Sequence, residues 1–556
     1  MLRRNVLRAF CNARERLDFD LIIVGGGPAG LSCALRAKQI DPALSVCLVE
    51  KGSEIGSHIL SGNVFEPRAL TELVPDWKEK ATPVRVPVLK DEFFVFPNKS
   101  SRIPIPHILF PKELDNSGNY VISLGEFCKW LAGEAENAGI EIYPGFSISD
   151  PIYDANDRVV GVRTIDTGIS KEGKHKMSYS PGMDLFAKHV VLAEGARGSI
   201  TEKVIERFNL RAKSCPPTYS LGLKEVWEVA PEKHNIGHVS HGVGFPLDFS
   251  TYGGSFLYHM DENLVHLGLV IGLDYSNAYL NTYSSFQKLK THDSIKELLS
   301  GGRCLSFGAR VLSVGGFQAL PKLSFPGGVI VGCSAGFLNL PKIKGTHTAM
   351  KSGMIAAEIL TESIRNGNTE KDPIEYESAV RSSWIGEELH RVRNVKPAFK
   401  LGGLVGGLTF TGTFYSLFKG REPFTLQWSA RDCDATLPVS KSKVIEYAKP
   451  DGKLTFDLLD NLVRTGVKHD HDQPSHLKIK PEKQVQAENS FPVFGGPESR
   501  FCPANVYEYP EGSSKNGVQI NAQNCIHCKS CSIKTSDEFI EWTVPEGGGG
   551  PQYTNM

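Results

Sequence analysis

Asp20-Leu21-Ile22-Ile23-Val24-Gly25-Gly26-Gly27-Pro28-Ala29-Gly30 is an apolar run delivered straight into a glycine turn. The run reads as a buried strand, and the pattern after it, residues 31–40, reads as a helix that stops at Asp41-Pro42. A second apolar strand at 46–49 ends on Glu50, twenty residues past Gly30. Strand, G-x-G-x-x-G turn, helix, strand and terminal acid within one short unit predict a Rossmann-like dinucleotide site. Gly25, Gly27 and Gly30 let backbone approach a pyrophosphate at the helix N-terminus, and Glu50 is placed to accept from ribose hydroxyls. An acid at that position disfavours a 2′-phosphate, so FAD or NAD is expected rather than NADP.

Two later stretches select FAD. Residues 187–198 form an apolar strand running onto the small-residue turn Ala193-Glu194-Gly195-Ala196-Arg197-Gly198. Residues 327–336 repeat the device, and Phe337-Leu338-Asn339 and Lys342-Ile343-Lys344-Gly345-Thr346 lead from it into another helix. Three such segments far apart in sequence predict one FAD-binding domain interrupted by insertions. Its candidate cofactor contacts are Gly25, Gly27, Gly30, Glu50, Glu194, Gly195, Arg197, Gly332, Gly336, Asn339, Gly345 and Thr346. Cys333, where many flavoproteins carry Asp, is expected to be a small residue packed under the flavin. The inserted material, roughly 91–139 and 217–315, alternates strand-like runs with turns and predicts a second, α+β domain over the flavin. Within it Gly253-Gly254 admits two readings, a flat ligand against backbone or a β-bulge.

Near the other end, Cys502-Pro503 is followed by Cys525-Ile526-His527-Cys528-Lys529-Ser530-Cys531. Three cysteines at gaps of two residues plus a distant Cys-Pro make the ligand set of a [4Fe-4S] cluster, whereas structural zinc sites usually pair their thiolates as two C-x2-C units. The other cysteines, among them Cys33, Cys47, Cys128 and Cys304, are scattered singly, as expected of a reducing compartment. At 556 residues, with 40% hydrophobic and 22% charged residues, the chain has length for several domains. Lys plus Arg equals Asp plus Glu at 62 each, and no basic run stands out, so a nucleic-acid partner is not expected.

Residues 1–17 carry five arginines against Glu15 and no apolar h-region, the pattern of a mitochondrial presequence. Residues 401–418 contain no charge between Lys400 and Lys419 but five glycines, which is marginal for a span needing about 20 apolar residues. The reading is a segment dipping into one leaflet, with Leu404 and Leu408 toward lipid and Lys400, Lys419 and Arg421 at the headgroups; a buried core helix is the alternative. Residues 103–111 form a possible second apolar lip. His469, His471 and His476 flank a proline with no cysteine nearby, and an ordered interdomain loop is expected there rather than a metal site.

With these motifs in this order, together with Thr346-His347-Thr348-Ala349-Met350-Lys351-Ser352-Gly353 and the tail Pro545-Glu546-Gly547-Gly548-Gly549-Gly550-Pro551, the chain closely resembles the electron-transfer flavoprotein–ubiquinone oxidoreductase family from about residue 18 to the end. The resemblance implies a monotopic protein on the matrix side of the mitochondrial inner membrane that contacts membrane lipid, takes electrons from electron-transfer flavoprotein and passes them to ubiquinone. It implies a FAD-binding domain at 18–90, 140–216 and 316–399, a ubiquinone-binding domain at 91–139 and 217–315, a membrane-associated segment at 400–424 and a ferredoxin-like [4Fe-4S] module at 425–556. It assigns the cluster to Cys502, Cys525, Cys528 and Cys531, quinone-contacting backbone to Gly253 and Gly254, and cluster-tuning hydroxyls to Tyr507 and Ser530, where the family often has threonine. A soluble FAD-dependent reductase or hydroxylase with an accessory cluster module is the competing expectation. It would need a nicotinamide site, and no second glycine turn after a strand with a downstream acid is found.

Overall fold

The structure, a computed structural model, describes residues 14–106, 112–510 and 517–556. Of the leader expected at 1–17, residues 1–13 lie outside the described residues, as do 107–111 of the possible apolar lip. Arg14 and Arg16 belong instead to the folded domain. Arg14 pairs with Asp166, and the first strand, Arg16–Val24, already includes Arg16 and Leu17.

That strand sits in the middle of a parallel sheet because its residues Leu21 to Ile23 are fully buried on both faces. Across the sheet the order is Gly328–Ile330, Asp184–Leu192, Arg16–Val24, Val46–Glu50 and Glu141–Pro144, all parallel. The register sets Val24 beside both Val49 and Leu192, so the glycine turn, Glu50 and the turn after Leu192 emerge at one edge. The helix Pro28–Ile40 leaves that edge with proline in its first turn, and packs on the helix Thr346–Arg365. The two backbones approach so closely at Gly353 that a Cβ there would strike the carbonyl oxygen of Ala29.

The second domain is built on a seven-stranded sheet in the order Arg303–Ser313, Tyr219–Glu228, Leu264–Gly272, Gly253–His259, His238–Gly244, Lys90–Phe96 and Ile103–Pro104. Gly253 and Gly254 pair with Ile271 and Val270 in unbroken register, so no bulge is present there. The boundary expected at residue 139 is corrected. The helix Leu124–Asn137 places its apolar stripe, Phe127, Cys128, Leu131 and Ala135, in the core of the FAD-binding domain, against Pro28–Ile40.

The second domain and the C-terminal module share one hydrophobic core, in which Leu223, Phe286 and Phe307 of the former join Phe501, Ile533 and Phe539 of the latter. Polar groups cross the same boundary. Glu225, fully buried, accepts from Lys290 at 3.0 Å, from Trp227 Nε1 at 2.7 Å and from Asn461 Nδ2 at 2.8 Å, the last from the C-terminal module. Deleting one partner of such a pair would strand a buried charge and cost about 3–5 kcal/mol. The module therefore cannot rotate freely against its neighbour.

Candidate functional site

The parallel sheet, the second sheet and the C-terminal module meet around one cavity of about 560 Å³, lined by residues of all three. Gly25, Gly27, Glu50, Glu194, Gly195, Gly345 and Thr346, seven of the expected cofactor contacts, line it. Gly25, at φ +112°, lies against Ala193 and could not carry a Cβ. A Cβ on Gly30 would strike the carbonyl oxygen of Gly25, so Gly30 serves helix–strand packing and not the cavity wall. Glu50 is held by two backbone amides, accepting from Gly26 at 2.9 Å and Gly52 at 2.7 Å. Glu194 caps the helix Ser199–Arg207, accepting from the amides of Ser199 and Thr201.

Four other candidates stand outside the wall. Arg197 turns away, donating to the carbonyl of Ser532 at 2.9 Å and pairing with Glu538, and so fastens the cluster segment to the sheet. Asn339 is fully buried and donates to Glu388 at 2.8 Å, while Gly332 and Gly336 shape a positive-φ turn beneath the lining residue Cys333.

Around Cys502 the chain is buried on all sides. Cys525, Cys528 and Cys531 are buried with it, and each of the four thiols lies close enough to others of the set for their charges to interact. Burial first, then the neighbouring thiolates, pushes Cys525 up to about 12 and Cys502 well above the ordinary thiol value. Four such thiols cannot ionise together without a cationic centre among them. His527 and Lys529, the residues between the cysteines, adopt positive φ of 57° and 67°, which curls the loop so that successive cysteines face one point. Ser530 Oγ lies 3.3 Å from Cys528 Sγ. The buried Tyr507 hydroxyl is directed at Cys531 and the Trp542 indole N–H at Cys525, and neither donor has a partner other than those thiols among the described residues. Donors directed at converging thiols fit a group that brings its own acceptors, as the sulfides of an iron–sulfur cluster do.

The cavity fits FAD by its charge. Lys51, Arg310 and Lys529 line it, and none of the three has an ion-pair partner among the described residues. Lys51 is pushed down to about 8, by burial and then by Arg310. One buried and two half-buried cations without carboxylate partners fit a dianionic diphosphate. Sequence reasoning missed these groups because Lys51 and Arg310 stand outside the motifs and Lys529, although between two cluster cysteines, carries no spacing signal of its own.

It also missed what the histidines do. His469 and His476 pack on His527 of the cluster loop, with ring centroids 5.0 and 5.5 Å from it, and His58 closes the group at 5.2 Å. Ring nitrogens of His469, His476 and His527 converge within 4.8 Å of one another. Lys51 and Lys529 both lie over the neighbouring Trp542 ring, and their charge opposes a further cation. The imidazoles are held neutral, His476 pushed down to about 3 chiefly by burial. The loop expectation thus becomes a packed neutral layer between cluster segment and cavity.

At the opposite end the cavity wall is made by Gly253, Gly254, Tyr252, Phe399, Leu404, Leu408, Thr411 and Gly412. The last five belong to the glycine-rich segment, which folds as the helix Val395–Phe410, broken at Gly403, followed by Thr411–Tyr415 in π geometry. Its outer face is apolar and bare: Leu401, Val405 and Leu417 are 62%, 67% and 75% exposed, with Phe414 and Phe418 beside them. The buried-core-helix alternative does not hold. No helix among the described residues is long and apolar enough to cross a membrane. Two expectations are corrected: Leu404 is buried and faces the cavity, and Lys400, largely covered, pairs with Asp432 at 3.3 Å instead of reaching outward.

Comparison with known proteins decides the family. Residues 452–554 match the family described as electron transfer flavoprotein-ubiquinone oxidoreductase, 4Fe-4S; residues 219–312 match ETF-QO, ubiquinone-binding; and residues 20–63 match FAD binding domain. The chain is 51% identical to the mitochondrial electron transfer flavoprotein-ubiquinone oxidoreductase of Arabidopsis thaliana over 98% of its length and 85% of the relative's. The proteins of that name from Bos taurus and Homo sapiens are 47% and 46% identical, each over 97% of this chain and 89% of theirs. The chain belongs to the electron-transfer flavoprotein–ubiquinone oxidoreductase family. Among solved structures, a geranylgeranyl bacteriochlorophyll reductase-like protein from Thermoplasma acidophilum shares the fold, with a TM-score of 0.53 at 18% identity over 75% of this chain and 94% of that one. In this family's terms, the cavity joins the FAD-binding and ubiquinone-binding parts, and the cluster part closes one of its walls.

Proposed function

We propose that this protein oxidises reduced electron-transfer flavoprotein and reduces ubiquinone to ubiquinol, in the mitochondrion. The observation that carries the reading is the continuity of the cavity: it begins at Gly25 and Gly27, passes Lys529 and Trp542 of the cluster module, and ends between Gly254 and the inner face of an exposed apolar segment. When bound, a [4Fe-4S] cluster and FAD supply one-electron and two-electron transfer. The chain's residues do the rest. Gly27 leaves room for the diphosphate, Lys51 and Arg310 balance its charge, Cys502, Cys525, Cys528 and Cys531 hold the cluster, and Tyr507 and Ser530 offer hydrogen bonds to its sulfurs, which raise the potential. The backbone of Gly253 and Gly254 lines the wall against which a flat quinone head would lie, and its glycines are kept by the close packing of the neighbouring strands.

The finer placement, on the matrix side of the inner membrane, rests on the bare face at Leu401, Val405 and Leu417. A monotopic protein lies on lipid through such a face, and here the cavity opens along its inner side, which lets an isoprenoid tail enter without crossing water. The test is the purified protein's absorbance, with flavin bands over a broad iron–sulfur shoulder, followed by quinone reduction driven by reduced electron-transfer flavoprotein. Flavin bands with no quinone reduction, but with nicotinamide oxidation, would establish the soluble reductase instead.

A further inference from the structure

Reducing a quinone to a quinol consumes two protons, and the cavity offers few groups able to pass them. Glu50 and Glu194 are occupied by backbone amides, and Lys51, Arg310 and Lys529 stand at the cluster end. Lys224 is buried and, among the described residues, its ammonium donates to the carbonyl of Ser61 at 2.9 Å. Tyr252 also lines the cavity, but among the described lining residues only His241 and Tyr258 are joined to each other as a titratable pair. Both are buried, both line the cavity in the sheet that carries Gly254, and His241 Nε2 lies 2.7 Å from the Tyr258 hydroxyl.

A second, surface cleft of about 550 Å³ has a wall that includes Lys344, Asp115, Glu113 and Lys112. Lys344 is buried at its inner end. Its ammonium donates to the carbonyl of Lys342 at 3.0 Å and to Asn116 Oδ1, and Asn116 Nδ2 donates to Asp91 at 2.9 Å. The charge of Lys344 acts on His241, and that of Asp91 on Tyr258. Lys344 and Asp91 thus form one hydrogen-bonded polar group at the cleft and His241 and Tyr258 another at the cavity, close enough for their charges to interact, in an otherwise apolar layer in which Phe93 stacks on His241 and Phe256 on Tyr258.

We propose that Lys344, His241 and Tyr258 form the proton-delivery route for quinol formation, fed by water in the outer cleft; this rests on the quinone-reductase reading above. In each delivery the O–H bond of Tyr258 breaks as an O–H bond forms on the reduced quinone oxygen. The phenolate recovers a proton from Nε2 of His241, the imidazole is reprotonated from the Lys344 side, and cleft water restores Lys344. One passage per turnover protonates the quinone oxygen that faces Tyr258, and the para oxygen on the far side of the ring takes the second proton from water by a separate path, so that two protons match the two electrons that the protein's own activity supplies and no route residue changes oxidation state. The groups facing Lys344 are Glu66, Asp91, Lys342 and Glu388, and burial, the largest influence, pushes it down to about 8, so it both loads and releases protons near neutral pH. His241 is pushed down to about 3 by burial and then by Lys344, which keeps it neutral between deliveries.

The experiment uses the full-length holoprotein, photoreduced and mixed with a short-tail ubiquinone analogue, with absorbance and a pH-indicator dye followed together in H2O and D2O. Tyr258→Phe keeps the ring, and equilibrium binding of the analogue, flavin content and melting temperature serve as controls. The expected result is proton uptake and reoxidation slowed about 100-fold with an enlarged solvent isotope effect. Lys344→Met should slow both in the same way, lose the pH dependence near 8, and regain rate with added methylamine. Reoxidation of Tyr258→Phe at the unsubstituted rate with an unchanged isotope effect overturns the route. If Tyr258→Phe does not fold, His241→Gln is read by the same criteria. Failure of the unsubstituted protein to be reoxidised by any quinone would overturn the reductase reading itself.

Discussion

At Gly27 an added Cβ would meet no protein atom within 4 Å, whereas at Gly25 it would strike Ala193 and at Gly30 the carbonyl of Gly25. One motif thus contains one glycine kept open toward the cavity and two kept for backbone packing, a division that separates binding from folding. Gly27→Val should fold, with the melting temperature of the flavin-stripped unsubstituted protein, yet lose most of its flavin, read as the flavin band per polypeptide; full flavin content would sink the diphosphate placement. At the cluster, Cys528→Ala should abolish the paramagnetic signal of the reduced cluster while flavin stays bound, and a surviving signal would exclude Cys528 as a ligand. Ser530→Ala, which removes the hydroxyl 3.3 Å from Cys528 Sγ, should keep the signal at a lower midpoint potential, read by redox titration. The cysteines and glycines were legible because their chemistry is carried by local spacing. Arg197 was not. Its neighbours in sequence line the cavity, but its side chain answers to Ser532 and Glu538, more than 300 residues away, and nothing local encodes that choice.

Elements were legible where one apolar stripe met one partner, and misassigned where two partners competed. The helix Leu124–Asn137 reads equally well as a cover for either sheet, and only the tertiary fold reveals that it packs on Pro28–Ile40. The glycine-rich segment shows the same limit. Its lack of charge marks an apolar surface, but both of its faces are apolar, one toward the cavity and one bare, so composition could not tell that Leu404 faces inward and Leu401 outward. Replacing Leu401, Val405 and Leu417 by Glu should therefore release the protein from liposomes at an unchanged melting temperature, since each charge carried into lipid costs about 2.5 kcal/mol or more. Binding that survives, or loss of the fold, would argue against a lipid-facing surface. Inside the fold, Glu388 accepts from His347 at 2.9 Å and Asn339 at 2.8 Å and pairs with Lys342 at 3.0 Å. Burial opposes its ionisation, but the His347 hydrogen bond and the nearby charges win and lower it from 4.5 to about 2. A depressed carboxylate contributes stability that is complete above its unfolded value and lost as pH falls through the folded one. Melting temperature should accordingly drop from pH 5 toward pH 2, and the drop should be shallower in Glu388→Gln.

At the scale of the molecule, the cavity has two ends with different chemistry, and this asymmetry sets the direction of electron flow. One end is closed by the cluster module, whose core is continuous with the second domain and whose loop is tied to the strand Arg303–Ser313 by the bond from Val311 to the carbonyl of Cys528 at 3.2 Å. The other opens beside the apolar face. A water-soluble flavoprotein can reach the first but has no reason to enter the second, and a lipid-borne quinone has the opposite constraint. Gly412 offers a way to separate them. It lines the cavity at the apolar end, has ordinary negative-φ backbone, and an added Cβ there meets nothing within 4 Å, so Gly412→Trp should fill the mouth without disturbing the sheet. Gly254 is a poorer choice, because a Cβ there comes within 2.8 Å of the Gly242 carbonyl and would strain the strand pairing itself. In Gly412→Trp, stopped-flow mixing with reduced electron-transfer flavoprotein should bleach the flavin at the unsubstituted rate, and subsequent mixing with a long-tail ubiquinone should reoxidise it at least about tenfold more slowly, with a tail-less quinone less affected. Slowed bleaching with normal reoxidation would mean that the flavoprotein delivers its electrons at the apolar mouth, and the two ends of the cavity would have to exchange roles.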